Sequence, residues 1–138
     1  MLFRSLRPVP VQLLDMSRIE RLKNTSARPG FIRELLTQSL SDIDLNCNQL
    51  VDALKIGDIE SIRETAHALK GVCANIGAVR LVGLSSSLMA TRRESFKQGS
   101  QLINDLENIR TSTCEAIEQF ILQLDTPNQG TDLSAGLH

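Results

Sequence analysis

From Ile32 onward the apolar residues fall at Ile32, Leu36, Leu40, Ile43, Cys47, Leu50 and Leu54. Steps of four and three are the period of one face of an α-helix, not of a strand. Pro29 is placed to open this helix as its first residue, and Gly57 to close it. Asp58 can cap a second helix, in which Ile59, Ile62, Ala66, Leu69, Cys73 and Ile76 repeat the same stepping. Gly77 ends or interrupts it. Leu81, Leu84 and Leu88 then mark the buried side of a third helix, predicted to run to roughly Phe96. After the breaker KQGS, Ser100 can cap a last helix whose seam takes in Leu102, Leu106, Ile109, Ala116, Phe120 and Leu124. Ahead of all these, Asp15 can cap a short helix through about Lys23, with Leu14, Ile19 and Leu22 as its apolar contacts.

Amphipathic helices on short connections bury single stripes only against one another. The predicted fold is therefore all-α: an antiparallel four-helix bundle with a short extra helix at its N-terminal side. It occupies residues 13–124. Residues 1–12, interrupted by Pro8 and Pro10, read as a tail or linker. Residues 125–138 are turn-rich and without period, which predicts a disordered tail. No β-rich run competes, and no repeat of fixed period is present.

Composition sharpens this picture. With no Trp or Tyr and four Phe, the core must be built from Leu, Ile, Val and Ala, which suits helices. A formal charge of -1 lacks the basic excess of a nucleic-acid binder. Cys47, Cys73 and Cys114 are far apart and show no ligand spacing, so neither a disulfide framework nor a metal site is suggested. The mildly apolar N-terminal stretch is too interrupted for a signal-peptide core or a membrane span. These features lead to the expectation of a reduced, cytoplasmic compartment.

One segment, AHALKGVCANIG (66–77), does not fit a purely structural helix. At roughly 100° per residue, His67 lies more than about 90° from the centre of the seam and faces solvent. Side chains on a helix lean toward its N-terminus, so position 71 would overhang the imidazole, and a Gly there leaves the ring open. Gly within a helix costs roughly 1 kcal/mol relative to Ala, so Gly71 needs a reason. It either admits another helix of the bundle or clears a docking surface, and its place opposite the seam favours the second. Lys70 sets a cation where an anion on the imidazole would sit, and Arg63, one turn earlier, adds to the field. Such a set suits a nucleophilic His that accepts a phosphoryl group. The plain alternative is a surface His beside cations that pair with Glu60 or Glu64.

His67, Lys70, Gly71 and Gly77, read as H-A-L-K-G with a Gly six further on, resemble the signature of histidine-containing phosphotransfer (HPt) domains of multistep two-component signalling. FIRELLTQSL (31–40), LVDALKIGDIESIRETAHALKG (50–71) and GAVRLVGLSSSL (77–88) extend the likeness. It implies a four-helix bundle in which His67 takes a phosphoryl group from the aspartyl phosphate of one receiver domain and passes it to another. It further implies that Lys70 stabilises phosphohistidine, Gly71 permits docking and Gly77 serves at the helix end. No cofactor is implied on this chain, the receiver supplying Mg²⁺ and most of the catalysis. Implied partners are receiver domains of response regulators and of a hybrid sensor kinase; the linker-like segment before Asp15 suggests the C-terminal module of such a kinase, a free-standing shuttle being the alternative. A parent kinase would tether it to the inner membrane, with no nucleic-acid or direct membrane contact.

Where many members carry Gln or Glu near the active His, this chain has Met89, a weak acceptor at best. That departure supports an alternative, a docking module that binds receivers without accepting phosphate. The docking surface is expected to include Glu64, Ala74, Ser85 and Met89. A third class, a catalytic histidine phosphatase or kinase substrate domain of a larger enzyme, would also need ATP-site motifs that this sequence lacks.

Overall fold

The computed structural model describes residues 13–25, 28, 30–93 and 99–125. Five helices follow in order: α1 (Met16–Thr25), α2 (Phe31–Ile56), α3 (Ile59–Ile76), α4 (Val79–Met89) and α5 (Gly99–Asp125). The described residues form a helical bundle without strands, as the periodicity predicts. Pro29, Phe96 and the segments expected as tails lie outside the described residues, except Asp125, which ends α5.

Two tight reversals set the antiparallel path. Gly57 closes α2, donating its N–H to the Ala53 carbonyl at 2.8 Å, and the Asp58 carboxylate accepts from the Ser61 N–H at 3.2 Å to open α3. Gly77 then closes α3 with φ 78°, a left-handed conformation that L side chains resist. α3 packs closely against α2 on one side and α4 on the other, while α5 lies along α2 and, more lightly, against α4.

The seam of α3 is as predicted, with Ile59, Ile62, Ala66, Leu69, Cys73 and Ile76 all buried. The other seams differ in a consistent way. On α2 the buried series includes Ser39 while Leu40 is half-buried, and on α4 it runs Leu81, Ser85, Leu88 while Leu84 is half-buried. On α5 the fully buried line is Leu106, Thr113 and Ile117, with Leu102, Ile109, Ala116, Phe120 and Leu124 flanking it. Each shift brings in a small hydroxyl residue that a reading of apolar positions passes over. Ser39 donates to the Leu35 carbonyl at 2.8 Å, whereas the hydroxyls of Ser85 and Thr113 have no partner among the described residues.

α4 is shorter than predicted, ending at Met89 instead of near Phe96. After Met89 the described chain reads ATRR, in which Ala90 alone is apolar, so these residues offer the core little to bury. The last amides fold back by tight bonds, Ala90 to the Ser87 carbonyl and Thr91 to that of Leu88, both at 3.1 Å. At the other end, α5 already includes Ser100, so its described start at Gly99 precedes the expected cap.

The three cysteines, distant in sequence, are brought from α2, α3 and α5 into electrostatic range of one another. Burial pushes the thiols of Cys47 and Cys73 up to about 12, and that of Cys114, which is half-buried, up to about 11.

Candidate functional site

His67 is carried at mid-helix on α3, and the core anchors that position from beneath. Ala66 and Leu69 on either side of it are fully buried, so the rotation of α3 about its axis is set by packing and the imidazole must point outward. It is exposed, and among the described residues no hydrogen bond or ion pair engages it. The ring nitrogens are thus accessible to a reactant.

Lys70 and Gly71 occupy the following turn on the same side. Lys70 is half-buried, and the general lean of helical side chains toward the N-terminus favours its reaching toward His67. A Cβ built on Gly71 would have no heavy atom within 4 Å. Nothing among the described residues therefore packs on position 71, which removes the helix-packing explanation. Ala74, one turn on, is also exposed and small. Together Gly71 and Ala74 form a low surface beside the imidazole.

Gly77 has a different environment. Its carbonyl accepts the Asp15 N–H at 2.7 Å, and a Cβ added to it would meet the Cβ atoms of Asp15 and Arg18 at 3.1 Å each. The missing side chain thus serves twice, permitting the left-handed turn and seating α1 across the end of α3. Arg18 completes the seat by donating from Nε to the Asn75 carbonyl at 3.0 Å. α3 has no basic residue in its last turn, so Arg18 supplies the cation that its C-terminal dipole favours. No sequence signal linked Asp15 and Arg18 to position 77, because the pairing exists only in three dimensions.

The remaining expected site residues divide. Arg63 and Glu64 are exposed. Arg63 donates from Nε to the Thr91 carbonyl at 2.8 Å, which ties α3 to the exit of α4. Met89 is half-buried and packs against the core. Ser85, expected on the docking surface, is fully buried at 0 % exposure and cannot contribute to it. That expectation is corrected: Ser85 takes the central seam position on α4, where a small side chain lets α3 and α4 lie close together.

The chemistry open to this arrangement is narrow. It offers one exposed nucleophilic nitrogen, one adjacent ammonium and a low surface, on a convex helix face. One cavity among the described residues lies away from it, between Leu13, Met16 and Phe120 at the α1 side. Among these residues no group of three or more His, Cys, Asp or Glu side chains is placed to hold a metal ion. Such a site suits a macromolecular reactant that brings its own pocket better than a small molecule that needs enclosing.

Comparison with known proteins agrees with this geometry. A profile of the Hpt domain matches residues 34–126. Among solved structures, histidine-containing phosphotransfer protein B (HptB) from Pseudomonas aeruginosa PAO1 superposes with a TM-score of 0.73 at 26% identity, covering 83% of this chain and 98% of that one. A comparison with curated protein sequences gives no match. The match spans most of the bundle and contains the exposed histidine with its lysine and glycine, and on that ground the chain belongs to the Hpt domain family.

Proposed function

We propose that the protein is a phosphorelay intermediate that accepts a phosphoryl group on His67 from the aspartyl phosphate of one receiver domain and delivers it to the aspartate of another. Hpt domains are phosphotransfer carriers that work with receiver domains, and the observation that carries the reading to this chain is the open face formed by His67 and Gly71. In the accepting step an imidazole nitrogen lone pair attacks phosphorus and a P–N bond forms. The acyl P–O bond breaks and the receiver carboxylate departs with its electron pair. The proton on the other ring nitrogen leaves to solvent or stays on the phosphoimidazole. Delivery is the reverse sequence with a second receiver.

Lys70 offsets the charge of the phosphoryl oxygens once they are attached to His67. Gly71 and Ala74 let the receiver surface approach the ring. The receiver brings Mg²⁺ and the groups that align the transfer, so this chain needs no cofactor of its own. A cytoplasmic setting, either free or as a module of a hybrid sensor kinase, places it where such partners are found. No helix among the described residues is long and apolar enough to cross a membrane.

Reconstitution tests the reading. A phosphorylated donor receiver, this protein and an acceptor receiver are mixed, and label on the acceptor is followed with and without the middle component. Flow that requires this protein and stops with His67→Gln is expected. Binding of receivers with no label on either this chain or the acceptor would establish the docking-module alternative instead.

A further inference from the structure

We propose that Arg63 is a positioning residue that acts on partner docking through the exit of α4, and not on the phosphoryl group. The proposal rests on the relay reading above. Its first support is direction. Arg63 is four residues before His67, and helical side chains lean toward the N-terminus, so its guanidinium is carried away from the imidazole while Lys70 is carried toward it. The Nε–H bond of 2.8 Å to the Thr91 carbonyl shows where Arg63 goes instead.

The second support is what α4 lacks. Its last turn has no basic residue, and its cap is Ala90 at φ -93°, not a left-handed glycine. Its C-terminal carbonyls therefore have neither of the usual stabilisers within the helix. Arg63 supplies a cation and a donor from the neighbouring helix. Had α4 continued, the Thr91 carbonyl would have accepted an amide four residues further on, and its bond to the guanidinium takes that place.

The third support is the path of the chain after Thr91. The Asp58 carboxyl, at the start of α3, is held below its ordinary value mainly by hydrogen bonds from Ser61, with Arg93 adding a smaller effect through space. With Thr91 held at Arg63, the chain leaving α4 meets α3 one turn before His67. Arg63 fixes this meeting point. A partner that covers His67 meets a defined edge when the Arg63–Thr91 bond is present and a looser one when it is absent.

The test compares Arg63→Gln with Lys70→Gln in transfer from a phosphorylated receiver, with hydrogen–deuterium exchange on both. Arg63→Gln is expected to raise KM for this protein about five-fold, the effect of losing one modest hydrogen bond, with kcat and phosphohistidine lifetime within about two-fold of wild type. Exchange should rise in residues 88–93 and stay unchanged in α5. Lys70→Gln should shorten phosphohistidine lifetime without altering exchange at 88–93. A shortened lifetime or lowered kcat in Arg63→Gln, or unchanged exchange at 88–93, would overturn the proposal. If wild-type protein takes no label on His67, the relay reading itself fails, an outcome distinct from either of these.

Discussion

Two glycines on α3, six residues apart, have opposite relations to the fold, and substitution should separate them. A methyl group at Gly71 meets empty space in a regular helix. Gly71→Ala is therefore expected to stabilise the protein by about 0.5–1 kcal/mol, seen as a raised urea midpoint, while slowing transfer from receivers. Equal loss of stability and transfer would return Gly71 to a structural role. Gly77→Ala meets both a φ of 78° and the Cβ atoms of Asp15 and Arg18 at 3.1 Å. It should destabilise by about 1–2 kcal/mol, with amides of α1 exchanging faster because their seat is disturbed. His67 and Lys70 were legible in the sequence, since a seam on α3 also tells which residues face away from it. The seat at Gly77 was not, as it depends on where α1 lands.

Among the elements, the helices were legible wherever apolar residues alone define the seam, and least so where a hydroxyl replaces one. α3 has an all-apolar seam and was read residue by residue, whereas Ser39, Ser85 and Thr113 fill seam positions on α2, α4 and α5. The end of α4 was overread for a related reason. Sequence spacing kept a place for Phe96, but the largely polar run after Met89 gives the helix little to bury, and Arg63 takes up the Thr91 carbonyl. The buried hydroxyls also carry a stability prediction. Among the described residues neither the Ser85 nor the Thr113 hydroxyl has a hydrogen-bond partner, and each loses hydration on burial. Thr113→Val, which keeps the shape, is expected to raise stability by about 1 kcal/mol, measured as a higher thermal midpoint. A fall of similar size would mean that the hydroxyl is satisfied in solution.

At the scale of the whole molecule, the aliphatic core carries the exposed His67 on its outside and the thiols of Cys47 and Cys73 within. The converging cysteines could not be foreseen from their separation in sequence, and burial shields the thiols of Cys47 and Cys73 in the folded chain. It also makes stability depend on pH in the alkaline range. The folded thiols of Cys47 and Cys73 titrate near 12, against an ordinary value of 9.0. Above about pH 9 the unfolded chain loses these protons and the folded one keeps them, so stability falls as pH rises from 9 toward 12 and is fully present below 9. Urea midpoints measured between pH 8 and pH 11 should decline, and the decline should be shallower in Cys47→Ala or Cys73→Ala. An unchanged slope in both variants would mean that other groups control the alkaline limb.

On this reading the core serves to hold His67 outward as a phosphoryl acceptor. The most direct test is to incubate the protein with a phosphorylated receiver and locate the modification by mass spectrometry at alkaline pH, with acid and alkali stability followed in parallel. A single phosphoryl group on His67, lost in acid, retained in alkali and absent from His67→Gln, is the predicted result. A phosphoryl group on any other residue, or label that persists in the variant, would contradict the account.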